Sequence, residues 1–187
     1  MLWDVLQSFD QSNRQLHPGK CIFAQPQFHY LGFVLYEQGV AASPEEIKAV
    51  KNYPLPKNVK DVRAFLGLAS FYRKLVDNFA AQANPLTDIT KKKRPFVWCP
   101  EQQQAFESLK DKFCKAPVLA FHDISLPFIL ATEASKTAVA AILPQIQNGV
   151  ERPISYASRL LNKAKQTNSV SESACVGYEA TSLLPVR

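Results

Sequence analysis

The stretch FLGLASFYRKLVDNF, Phe65 to Phe79, decides how this chain is read. With the residues before it, Asp61 to Val76 predicts one long helix. Its apolar side chains are Val62, Phe65, Leu66, Leu68, Ala69, Tyr72 and Val76, most of them at the 3 and 4 spacing of a buried face. A second stripe, Arg63, Gly67 and Phe71, follows the i, i+4, i+8 spacing and has Lys74 beside it. Glycine inside a helix costs about 1 kcal/mol relative to alanine. Its presence points to a contact that a Cβ would obstruct. Two contacts fit: the backbone of a ligand, a nucleic acid included, or a second helix crossing at close range.

Working outward, Asn58 is placed to cap this helix, and Ser43-Pro44-Glu45-Glu46 supplies an N-cap hydroxyl, a proline at N1 and a glutamate at N3 for another. That second helix is expected over Pro44 to Asn52, ended by Pro54-Leu55-Pro56. Further upstream, Leu2, Val5, Leu6 and Phe9 predict an amphipathic helix within residues 2–13, broken by Pro18 and Gly19. Cys21 to Ala24 is expected as a short strand. The run Phe28 to Leu35, with Glu37-Gln38-Gly39 as a turn signal, completes two short strands and a hairpin. Downstream, Asn84-Pro85-Leu86 predicts a short helix ended by a basic run. Cys99-Pro100-Glu101 predicts another, with Ala105, Phe106, Leu109 and Phe113 on one face. From Phe121 the pattern turns to strands at Leu126–Thr132, Lys136–Gln145 and Arg152–Ser158, with a turn at Gln147-Asn148-Gly149. Strands joined this closely form an antiparallel meander. A partial helix is expected from Ser171, with Glu172 in its first turn. The class is α+β.

The chain of 187 residues carries a net charge of +6. All of that excess lies in residues 43–94, with 11 Lys/Arg against 5 Asp/Glu, while the rest of the chain balances. A basic segment interleaved with aromatic residues is the footprint of a polyanion partner. The run Lys91-Lys92-Lys93-Arg94 contributes much of the charge, and by composition alone reads as a solvated linker. Cys21, Cys99, Cys114 and Cys175 form no CxxC pair, and His17, His29 and His122 are isolated. Neither a zinc spacing nor a disulfide framework is suggested. No apolar run reaches the roughly 18 residues of a membrane span, and residues 1–13 lack a signal-peptide pattern. An intracellular, reducing location without membrane contact is expected. There is no GxxxxGK loop, GxSxG turn or HExxH helix.

Five ordered motifs carry a family resemblance. They are YLGFVLYEQGVAASPEEIKAVKNYPLP, NVKDVRAFLGLASFYRKLVDNFA, FVWCPEQQQAFESLK, FILATEASKTAVAAILPQ and RPISYASRLLNKA. In this order they resemble the Pol polyprotein of gypsy-class LTR retrotransposons, across about residues 3–172. The resemblance implies four parts. Residues 1–42 would end a reverse transcriptase palm, with a primer-grip-like hairpin at Tyr30, Leu31, Gly32 and Phe33. Residues 43–83 would be thumb helices, 84–120 a connection, and 121–187 a truncated ribonuclease H-like three-stranded sheet with a partial helix. It also implies a partner, the RNA–DNA or DNA duplex of template and primer, and other Pol segments beside it. The stripe Arg63, Gly67, Phe71 with Lys74 falls where the family's thumb helix follows the duplex. Such contacts read backbone shape rather than sequence.

The resemblance implies Mg²⁺ in the parent enzyme, held by clustered carboxylates. The family's polymerase aspartate pair falls before the region similar to Met1–Trp3, and no Asp-Asp pair occurs in this chain. The first ribonuclease H carboxylate would sit in a TDAS-like strand. Here Ala131-Thr132-Glu133-Ala134-Ser135 puts Glu133 in its place, as a degenerate catalytic and metal-ligating residue. The next carboxylate matches Ala174, leaving Glu172 as a neighbouring substitute, and beyond Cys175 the sequence departs from the pattern. The expectation is a Pol segment that holds a duplex but neither polymerises nor cleaves. The alternatives are a non-catalytic binding remnant and a decayed reading frame without a stable product.

Overall fold

The computed structural model describes residues 2–92 and 94–162. Helix α1 (Leu2–Gln11) opens the chain and buries none of its residues. A 3-10 turn follows at Pro18–Lys20. The expected strand at Cys21–Ala24 does not form. Ile22 and Phe23 stand exposed, and Ala24 takes a left-handed φ of 51° that breaks an extended run. Instead three short strands, β1 (Gln27–Tyr30), β2 (Phe33–Tyr36) and β3 (Gly39–Ala42), form an antiparallel sheet in that order. The apolar run from Phe28 is thus interrupted by a tight turn at Leu31-Gly32.

Next come α2 (Pro44–Lys51) and α3 (Val59–Phe71). Each has the cap the sequence implies. Ser43 Oγ accepts from Glu46 N at 3.3 Å, and Asn58 Oδ1 accepts from Asp61 N at 3.0 Å. The long helix ends earlier than expected, and Arg73–Leu75 is a 3-10 turn. Its apolar face is buried as the periodicity requires: Val62 and Phe65 are fully inaccessible, and Ala69, Tyr72 and Val76 nearly so.

Helix α4 (Phe79–Asp88) begins before the expected start at Asn84 and carries Pro85 in its interior. An interior proline removes a helix hydrogen bond at a cost of about 3 kcal/mol. Burial of Phe79, Ala83 and Leu86 on one face offsets it. A side chain from far along the chain also caps the helix: Ser158 Oγ accepts from Ala80 N at 2.9 Å. Helix α5 (Pro100–Cys114) buries Ala105, Phe106, Leu109 and Phe113, all four of the expected face. Phe65 meets Phe106 with ring centroids 4.7 Å apart, and Tyr72 meets Phe113 at 5.2 Å. These tilted and edge-on pairs fix the centre of the larger core.

The second sheet is the antiparallel meander β4 (Ala131–Ala134), β5 (Ala138–Gln147) and β6 (Val150–Leu160). Asn148 and Gly149 turn with φ of 54° and 76°. Strand β4 is shorter than expected. Pro127 and Pro144 offer no N–H, a register shift falls at Leu143/Pro144, and only Ile129 N to Pro144 O continues the pairing. Buried Gln145 fastens the preceding loop through Asp123 N, Asp123 O and Leu126 O. The helix expected from Ser171 lies outside the described residues. The two sheets are joined at Leu119-Ala120. Leu119 exchanges both backbone hydrogen bonds with Val40, and Ala120 N donates to Pro153 O at 2.8 Å. A Cβ on Gly39, where φ is 146°, would lie 2.0 Å from Leu119 O.

Replacing the trans-acting cap tests this arrangement. Ser158→Ala is expected to cost about 1 kcal/mol, read as a lower urea midpoint with an unchanged m-value. An unchanged midpoint would show that the cap contributes nothing.

Candidate nucleic-acid interface

Helical geometry separates the two stripes of α3. Arg63, Gly67 and Phe71 are exposed on the side opposite Val62, Phe65 and Ala69, and Lys74 is exposed in the turn that follows. A Cβ at Gly67 would meet nothing within 4 Å. Of the two contacts the glycine suggested, a close helix crossing is therefore not made within the described chain. Lys60 and Ser70 share the exposed side, seven residues before and three after Gly67, with Ala64 also exposed. The same spacing rule identifies them, although they carry neither the ring nor the glycine that marks the stripe.

The YLGF hairpin meets the C-terminal end of this stripe. Leu31 and Gly32 carry φ of 48° and 79°, the pair of left-handed conformations of a type I′ turn. Tyr30 and Leu31 stand out into solvent at 59% and 69% exposure. Phe33 turns inward, its ring 5.6 Å from Phe71 and 5.1 Å from Tyr72. Gly32 O accepts from Ser43 N at 2.9 Å and from the buried Tyr72 hydroxyl at 3.3 Å. A Cβ on Gly32 would lie 2.2 Å from that hydroxyl. The hairpin and the helix stripe, read separately from the sequence, thus form one surface. Phe71, 57% exposed, lies where they join.

Burial, and then the nearby Glu46 carboxylate, push the Tyr72 hydroxyl up to about 12. Arg63 is exposed but not idle: its guanidinium donates to Thr90 O at 2.8 Å, beyond the end of α4. No local pattern reveals that tie, because it joins residues 27 positions apart.

Glu133 is exposed on β4, paired in register with Ala140. Among the described residues no group of three or more His, Cys, Asp or Glu side chains is placed to hold a metal ion. Of the carboxylates that the resemblance assigns to Mg²⁺, Glu133 alone lies among the described residues. Glu172 lies outside them. Cys21, Cys99 and Cys114 are free thiols, and no helix among the described residues is long and apolar enough to cross a membrane.

Residues 98–179 match the family model described as an RNase H-like domain found in reverse transcriptase. The retrovirus-related Pol polyprotein from transposon opus of Drosophila melanogaster is 35% identical over 179 residues, covering 90% of this chain and 18% of the relative. The transposon Tf2-3 polyprotein of Schizosaccharomyces pombe is 35% identical over 170 residues, covering 90% of this chain and 13% of the relative. The chain thus spans less than a fifth of the curated relatives it matches. Among solved structures, the foamy viral protease-reverse transcriptase in complex with dsDNA has a TM-score of 0.73 at 22% identity, covering 85% of this chain and 33% of that one. Its complex with RNA/DNA hybrid gives a TM-score of 0.72 at 22% identity, with 85% and 22% coverage.

Two measurements test the hairpin–helix junction. Gly32→Ala is expected to displace the hairpin from Tyr72, lower the melting temperature and broaden the Tyr30 and Phe33 ring resonances. Because Tyr72 titrates higher folded than unfolded, its contribution is full below about pH 10 and is lost as pH rises towards 12. Tyr72→Phe should flatten that alkaline loss in pH-dependent unfolding. An unaltered slope would place the loss at other tyrosines. By sequence, the homologues of this chain are Pol polyproteins of retrotransposons, and its residues 98–179 match the RNase H-like domain found in reverse transcriptase.

Proposed function

We propose that this chain is the duplex-holding segment of a gypsy-class retrotransposon Pol protein, and that it is itself catalytically silent. The observation that supports the reading is the open face of α3. A glycine with nothing near its missing Cβ sits between Arg63 and Phe71, and Phe71 in turn meets Phe33 of the hairpin. Lys74 and Lys60 supply exposed positive charge for phosphates. Gly67 and Ala64 keep the helix surface low enough for a sugar–phosphate backbone to approach. Phe71 offers a ring against sugars, held in place by Phe33 and Tyr72. Tyr30 and Leu31 extend this face at the hairpin tip. Contacts of these kinds depend on duplex shape and charge, so binding is indifferent to sequence. The foamy viral structures of the same fold are complexes with dsDNA and with RNA/DNA hybrid, which favours a duplex over a single strand as the ligand. The site is assigned to an intracellular enzyme whose Mg²⁺-binding carboxylates belong to other parts of the Pol protein.

Fluorescence anisotropy with a labelled RNA–DNA hybrid and with duplex DNA measures the first half of the proposal. Lys74→Ala should weaken binding to duplexes of unrelated sequence by the same factor and make the log–log salt slope shallower by about 0.9. Affinity untouched by both Lys74→Ala and Phe71→Ala would remove the thumb assignment. A hybrid-cleavage assay with Mg²⁺ and with Mn²⁺ measures the second half. No cleavage is expected, and cleavage abolished by Glu133→Ala would overturn catalytic silence.

A further inference from the structure

We infer that the basic turn after α4 belongs to the same duplex-facing surface, set there by Arg63 and partly neutralised by Asp88; this rests on the duplex-holding reading above. Arg63 lies in the exposed stripe of α3, and its guanidinium donates to Thr90 O. Thr90 is itself fixed by two bonds to Thr87 O, from its amide at 3.1 Å and its hydroxyl at 2.8 Å. The next residue is Lys91, so the basic run begins one peptide unit from the stripe's own cation. The head of a run that composition alone reads as a solvated linker is therefore tied, at Thr90, to the proposed binding face.

Asp88 divides the run's charges. Its carboxylate pairs with Lys91 at 2.8 Å and with Arg94. The hydrogen bond from Lys91 and the two nearby cations hold it below the usual carboxylate range. Lys92 stands exposed between them, with its amine directed to no described partner. With Lys60 and Arg63, these cations extend a track that covers about 12 Å of α3 from Phe71 to Arg63 at 1.5 Å per residue, with Lys74 in the turn beyond. A duplex presents one phosphate charge per ~1.7 Å of axis, so phosphates remain to be met beyond the helix end. The competing assignment is that the run only offsets the negative C-terminal end of the α4 dipole. That role would alter stability and leave duplex affinity unchanged.

The test uses the full chain, duplex DNA and a salt series. Lys92→Ala is expected to make the log–log salt slope shallower by about 0.9 with an unchanged melting temperature. Asp88→Asn, which frees Lys91 and Arg94, is expected to tighten binding and steepen the slope. If Lys74→Ala lowers the slope while Lys92→Ala does not, the inference fails and the duplex-holding reading stands. If the unsubstituted chain does not bind duplex at low salt, both fail. Should Asp88→Asn impair folding, the exposed Lys92 decides the matter alone.

Discussion

Everything about the candidate site follows from which side of α3 is turned inward. Phe65 is fully buried against Phe106 of α5, with Tyr53 packed 5.2 Å away on another side. A helix repeats every 3.6 residues, so seating Phe65 fixes the rotation of the whole element. Val62, Ala69 and Tyr72 are carried inward, and Arg63, Gly67 and Phe71 outward. Burying Phe65 removes apolar surface worth roughly 1.5–3 kcal/mol from water. Turning Gly67 inward would forfeit that and bury Arg63, a charge without a compensating partner.

The parts legible in the sequence are those governed by local chemistry or by one clear period. The caps at Ser43 and Asn58, the buried face of α5, the Asn148-Gly149 turn and the order of the second sheet needed only neighbouring residues to be read. The failures share a different cause. The strand expected at Cys21–Ala24 has apolar residues but no partner strand to bond. The helix expected at Asn84 begins at Phe79, because buried contacts and a hydroxyl from β6 outweigh the proline. Strand β4 is cut short by prolines, one of them on its neighbour, whose effect depends on a register no local window contains.

The candidate site was legible residue by residue but not as an assembly. Nothing in the spacing says that Phe33 of the hairpin stacks near Phe71, or that Tyr72 reaches Gly32. Nor does composition reveal that Arg63 is tied to the turn carrying the lysines. Each of these contacts spans 27 to 40 residues of sequence. The resemblance to retrotransposon Pol proteins grouped the hairpin and the helix by role, and the fold supplies the physical contact that joins them.

The paired residues Leu119 and Ala120 have a mechanical consequence. One is hydrogen-bonded to β3 of the first sheet and the next to β6 of the second. Sliding one sheet past the other must break either the Val40 pair or the Ala120–Pro153 bond. Each such bond contributes about 0.5–1.5 kcal/mol net, and Gly39 leaves room for the strands to meet without a gap. A pull on the first sheet is therefore transmitted to the meander through Leu119-Ala120 and through Arg152, which donates to Gln38 O at 2.6 Å, so the two sheets shift in concert rather than independently.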